Sequence, residues 1–163
     1  DNRRMDIVAA PGARGVGARR GVALFCDVTI VSPLSRIGQA RPQTNLSDGH
    51  VVSIAQAKKH RRYADVDASG AGSLVVLGCE VFGRWSSDAI AIIKELAHLK
   101  ARSSPPYLRA ATKAAWLNRC WSLASVGAQS AVGAALLTGR GVDLLPIQAV
   151  QDGPDLIDLL DLH

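Results

Sequence analysis

The sequence predicts an α+β fold of three-layer α/β/α-like character: a small mixed sheet with a β-hairpin, a crossover helix and a C-terminal set of helices. Three observations point there. Two short apolar runs of strand character open the chain, a third follows a single cationic helix, and from Gly83 onward the periodicity is helical. Three strands alone make a small sheet, so an element N-terminal to residue 1 would complete it.

The first strand is expected at about residues 4–10, around Met5-Asp6-Ile7-Val8-Ala9, and the second at about 22–32. Between them the Gly- and Arg-rich stretch 11–21 reads as a flexible hairpin tip carrying Arg14, Arg19 and Arg20. Residues 33–48 hold two prolines and scattered polar residues and read as a loop, with Asp48 as a helix cap. A helix over 49–64 follows, its C-terminal half cationic through Lys58, Lys59, His60, Arg61 and Arg62, which suits the helix dipole. The run 73–82 is the third strand. Ser86 or Ser87 can cap a helix to about Ala101 that Pro105-Pro106 stops, and 107–121 and 123–138 read as two further helices. The domain boundary is set at 140, leaving 141–163 as an acidic tail in which Asp152, Asp155, Asp158 and Asp161 recur every third residue among leucines.

At 163 residues and 48% apolar content the chain can bury a core without disulfide or metal staples, and with only 4% aromatics that core is built from Ala, Val, Leu and Gly. Cys26, Cys79 and Cys120 are odd in number, far apart and in apolar contexts, which predicts buried free thiols in a reducing, intracellular compartment. The chain opens on Asp1 with no charged-then-apolar leader and reads as a fragment of a longer one. The weakly apolar run 123–137 is too short and too polar for a membrane span, so no membrane partner is expected. Residues 1–63 carry eleven Lys/Arg against four acids, 64–140 eight against five, and 141–163 none against five. A basic front half is what phosphate backbones attract.

The chemistry-bearing oddity is a carboxylate at the centre of an apolar strand, Asp27, since burying an ionised Asp costs several kcal/mol unless a cation or hydrogen-bond donors replace its water. Asp6 and Glu80 repeat the pattern in the other two strands. Clustered carboxylates can hold Mg²⁺, and a nearby lysine can orient or activate a water for attack on phosphorus. The alternative is that Asp27 pairs with an arginine and Asp6 lies in solvent at a strand end. Two other readings fail on spacing. Gly15-x-Gly17-x-x-x-Gly21 runs into a strand where a dinucleotide fingerprint opens a helix, and no His lies near a nucleophile elbow.

The blocks Arg4-Met5-Asp6-Ile7-Val8, Asp27-Val28-Thr29-Ile30-Val31-Ser32-Pro33, Ala57-Lys58-Lys59-His60-Arg61-Arg62-Tyr63 and Glu80-Val81-Phe82-Gly83-Arg84-Trp85, taken in that order, resemble the restriction-endonuclease-like domain found C-terminal to reverse transcriptase in some non-LTR retroelements. That domain belongs to the PD-(D/E)XK nuclease superfamily. The resemblance spans roughly residues 3–138 and implies a restriction-endonuclease-like core and a Mg²⁺- or Mn²⁺-dependent DNA endonuclease that nicks its target. It implies a reverse transcriptase domain upstream in the same polypeptide and a nuclear location. Asp6 and Asp27 would be the acidic residues of the first and second motifs and metal ligands, with the Val28 carbonyl an additional ligand. Met5 replaces the proline of the first motif, and Thr29 stands where the usual lysine would be. In similar domains that lysine sits on the neighbouring helix, which makes Lys59 the candidate and Lys58 the fallback. Gln56 and Tyr63 share the Lys59 face and would support it. Glu80 either assists the metal shell or anchors the Gly83-Arg84-Trp85 turn, and Trp85 reads as packing. Arg14, Arg19, Arg20, Arg61 and Arg62 would contact DNA. The alternative is a catalytically degenerate domain of the same fold that binds nucleic acid or acts as a scaffold, and Thr29 is its support.

Overall fold

The computed structural model describes residues 5–9, 22–70 and 72–138. The chain divides into two compact units, Asp1–Gln129 and Ser130–His163. The sheet and its helices belong to the first unit; of the second, only the end of a helix, 130–138, is described. The expected hairpin tip at 11–21, the boundary at 140 and the acidic tail all lie outside the described residues.

The architecture is α+β. Three strands, β1 (Ile7–Ala9), β2 (Ala23–Val31) and β3 (Gly72–Glu80), form a mixed sheet in the order β1-β2-β3. β1 is antiparallel to β2, with Ile7 opposite Cys26, and β2 is parallel to β3, with Asp27 opposite Val76 and Val31 opposite Glu80. A parallel pair needs a crossover, supplied by α1 (His50–Arg62) and the short α2 (Ala64–Ala68). Then come α3 (Ser87–Arg102), a 3₁₀ turn at Pro106–Leu108 and α4 (Arg109–Thr138).

Strand alternation divides the core between the two faces of the sheet. Leu24 and Cys26 cluster with Ile92 and Ile93 of α3 and with Leu117, Cys120, Trp121 and Ala124 of α4. On the other face Leu74 and Val76 cluster with Tyr63, which ends α1, and with Phe25 and Val66. α1 comes close to β3 at Gly78, where a Cβ would lie 2.8 Å from the Val52 side chain. Only glycine leaves that space.

Three sequence expectations change. Asp48 does not cap α1: Gly49 does, in the left-handed region at φ 67°, with no side-chain cap bond, and Asp48 instead pairs with Arg84 at 2.8 Å. The orphan N–H of Val52 goes to the Glu80 carboxylate, so this helix start is satisfied from across the fold. The two helices expected over 107–121 and 123–138 are one, because no proline or turn sequence interrupts them and Ser122 bonds back to the Asn118 carbonyl within the helix. As one element, Pro106–Thr138 is long and apolar enough to cross a membrane by length and composition alone, which the separate segments were not. Four of its residues, Leu117, Cys120, Trp121 and Ala124, pack on the Leu24–Cys26 cluster of the sheet. β1 is also shorter than expected, pairing only over Ile7–Ala9.

β3 is an edge strand among the described strands, and six of its outer backbone groups find partners outside the sheet. Asp67 accepts from Leu74 N–H, Asp88 from Val76 N–H and Ser86 Oγ from Gly78 N–H. Ser86 Oγ also donates to the Val76 carbonyl, Ser86 N–H to the Gly78 carbonyl, and Glu80 N–H to the Arg84 carbonyl. Side chains and loop backbone stand in for a missing strand from Val76 to Glu80, which blocks further pairing there.

Candidate functional site

Asp27 lies at the middle of β2 and is only 3% exposed. Its side chain faces α1, and Lys59 reaches it with Nζ 3.1 Å from Oδ1 and 2.8 Å from Oδ2. The buried Oδ2 makes this ion contact without a directed hydrogen bond. The carboxylate therefore has the cation its burial demands, and that cation comes from the crossover helix. Lys59 is held there because Tyr63, one turn on, anchors the end of α1 in the core. The Lys59 side chain as a whole remains 27% exposed.

Asp6 sits at the end of β1. Its backbone N–H donates to the Cys26 carbonyl, and its Oδ2 accepts from Val28 N–H at 2.8 Å. Because β1 stops at Ile7, Val28 has no strand partner on that side, and the Asp6 carboxylate supplies the acceptor that the next carbonyl would have been. In a strand the N–H and C=O of one residue point to the same edge, so the Val28 carbonyl is directed to the Asp6 side of β2. The register that sets Ile7 opposite Cys26, extended by one residue, puts Asp6 opposite Asp27, with the Val28 carbonyl next along β2.

Glu80 does not join them. It is opposite Val31, four residues beyond the level of Asp27, or about 13 Å at roughly 3.3 Å per residue. It is 1% exposed, accepts from Val52 N–H at 3.3 Å and lies 3.5 Å from Arg84 Nη1. Of the two roles open to it in the sequence, this placement matches the anchor. Trp85 packs on Trp121, ring centroids 5.6 Å apart.

Comparison of the chain with family models, with curated proteins and with solved structures gives no match.

Lys58 is exposed, about 100° around α1 from Lys59. Thr29 is on the Asp27 face, two residues along β2, and half-buried. Gln56 is drawn elsewhere: its side chain bonds Ser87 Oγ at 3.0 Å and Asp88 Oδ1 at 2.7 Å, tying α1 to the start of α3. Arg61 and Arg62 are exposed, and the Arg62 guanidinium lies over the Tyr63 ring. Arg14, Arg19 and Arg20 fall outside the described residues. Among the described residues no group of three or more His, Cys, Asp and Glu comes together to hold a metal ion.

The sequence did not reveal a second polar cluster. His60 Nε2 is 2.7 Å from Asp88 Oδ2, its Nδ1 is 3.8 Å from Asp67, and Asp88 also takes the Val76 N–H. His60 reads as a surface residue in sequence, yet here it links α1 to both caps of the β3 edge. The available signal was its spacing, four residues after Gln56 and thus on the same stripe of α1. The three thiols are free, and burial pushes each above its ordinary pKa, which removes them as nucleophiles near neutral pH.

Proposed function

We propose that this chain is a Mg²⁺- or Mn²⁺-dependent endonuclease domain with a restriction-endonuclease-like core, cleaving DNA phosphodiesters in the polypeptide of a retroelement-type reverse transcriptase within the nucleus. The buried Asp27–Lys59 pair, reached from the crossover helix, is the observation that carries it. Pairing one carboxylate inside the sheet with a partly exposed lysine is costly for stability alone, since apolar residues fill such sites as well or better.

The donor set fits a hard cation: the buried Asp27 Oδ2 has no directed hydrogen bond, and Asp6 and the Val28 carbonyl offer further oxygens at the same sheet edge. A bound Mg²⁺ would supply Lewis acidity and a nucleophilic water. The chain's own residues do the rest. Lys59 keeps a positive charge beside the position where phosphate charge develops, and its ammonium can hold a solvent molecule through a proton Asp27 does not engage. Asp6 fixes the end of β1 against Val28, which sets the spacing of the two acids. Arg61 and Arg62 present cations from the same helix toward a DNA backbone.

A second reading is favoured by Thr29 and by the placement of Glu80, which leave the site with two acids and no lysine on β2. It is a domain of the same fold that binds nucleic acid or braces a neighbouring polymerase without cutting. Supercoiled plasmid with Mg²⁺ or Mn²⁺ separates the two. The parent should nick, and Asp27→Asn and the paired Asp27→Asn/Lys59→Met variant, which keeps the packing without burying a lone charge, should lose at least about two orders of magnitude. If the parent nicks no faster than these variants while still binding DNA in a salt-dependent way, the second reading stands.

A further inference from the structure

We propose that the α3–α4 hairpin carries a docking surface for the phosphate backbone of a nucleic-acid duplex, made of Arg109, Lys113 and the Lys100–Trp116–Arg119 stack. The surface is separate from Asp27: α3 and α4 pack on the Leu24–Cys26 face of the sheet, whereas Asp27 faces α1.

Between Glu95 and Asp143 the sequence holds six Lys/Arg and no acid, so the stretch carries no acid of its own to neutralise them. Arg109, Lys113 and Trp116 fall at i, i+4 and i+7 along α4, and Arg119 follows Trp116 by three, which makes one continuous row. Arg109, Lys113 and Arg119 are exposed.

The arrangement also runs against helix stability. Arg109 and Lys113 are like charges one turn apart, worth a few tenths of a kcal/mol of destabilisation. They stand in the first turns of α4, where the dipole favours acids, and the first turn has none. An anionic partner relieves both costs.

The cations are ordered before any partner arrives. The Lys100 ammonium lies 5.3 Å and the Arg119 guanidinium 6.0 Å from the centre of the Trp116 ring, so one indole holds a cation from each helix. The turn between the helices is pinned as well, by Arg109 Nε donating to the Ser104 carbonyl and Thr112 Oγ1 to Ser104 Oγ. Side chains already restrained lose less entropy when a phosphate binds. Leu117, Cys120, Trp121 and Ala124 of α4 pack on the sheet while Leu123 and Val126 stay exposed, so it is the charge of the row, with no acid beside it, that points to a polyanion.

The test is equilibrium binding of the full chain to a short mixed-sequence DNA duplex across rising salt, in EDTA so that no cutting intervenes. The Lys100→Gln/Lys113→Gln/Arg119→Gln variant should bind at least tenfold more weakly at low salt. Its slope of log K against log salt should fall by roughly 2 to 3, at about 0.9 per phosphate contact. Lys113→Gln alone, an exposed change, should lower the slope by about 0.9 and keeps the test valid if the triple variant does not fold. A slope unchanged in both variants overturns the proposal, as does binding to phosphatidylserine vesicles with none to the duplex. A chain that binds through this row and nicks nothing keeps this inference and loses the nuclease.

Discussion

Asp27 and Glu80 are both acids buried in a sheet, and their surroundings give them different work. Asp27 meets a lysine whose side chain is still partly exposed, which leaves the pair open to solvent on one side. Glu80 meets a backbone N–H and Arg84, and Arg84 is itself bound by Asp48, which knits the turn after β3 to the start of α1. Glu80→Ala should therefore lower the unfolding free energy by about 3 kcal/mol in urea denaturation, because Val52 N–H and Arg84 lose their acceptor. Glu80→Gln, which can still accept from Val52, should cost about half as much. The sequence made all three strand acids look alike, since a carboxylate in an apolar run signals only that a partner is needed. The residues alone pointed to an arginine as the partner of Asp27; Lys59 entered through the resemblance, with its spacing to Tyr63 setting it ahead of Lys58. That of Glu80 was not, because Val52 contributes through its backbone and Arg84 through a turn.

Among the elements, the start of α3 shows how one side chain can serve two of them. The Ser86 hydroxyl accepts from Ala89 N–H as the α3 cap, accepts from Gly78 N–H and donates to the Val76 carbonyl, in a site 1% exposed. Ser86→Ala should cost about 2–4 kcal/mol, a cap plus buried backbone groups left unmatched, and should raise hydrogen exchange at Gly78 before the rest of the sheet. The cap itself was readable from the serine before a periodic run. Its role on the β3 edge was not, because edge closure depends on which strand lies outermost, and topology is invisible in local pattern. α4 shows the opposite error: a break is expected where the composition shifts to Ala and Gly, yet Gly127 and Gly133 lower helix propensity without ending a helix that lacks a proline or cap.

For the whole molecule, order of elements was the most legible property, since strands, crossover helix and later helices announce themselves by period and length. The mixed sheet places the centre of β2 beneath the end of α1 because a parallel crossover returns the chain across the sheet it left. That single topological fact brings Asp27 and Lys59, 32 residues apart in sequence, into contact. Charge adds to it a cationic hairpin on the opposite face, so the two faces divide a proposed chemistry from a proposed grip.

The proposed chemistry requires above all that the Asp27 edge of the sheet take a divalent cation. Mn²⁺ titration followed by electron paramagnetic resonance reads this without reference to cutting. The parent should bind Mn²⁺ at a site that Asp27→Asn abolishes and Asp6→Asn weakens, while Glu80→Gln leaves it unchanged. Mn²⁺ uptake indifferent to Asp27, or absent from the folded parent, would contradict a metal site at this edge.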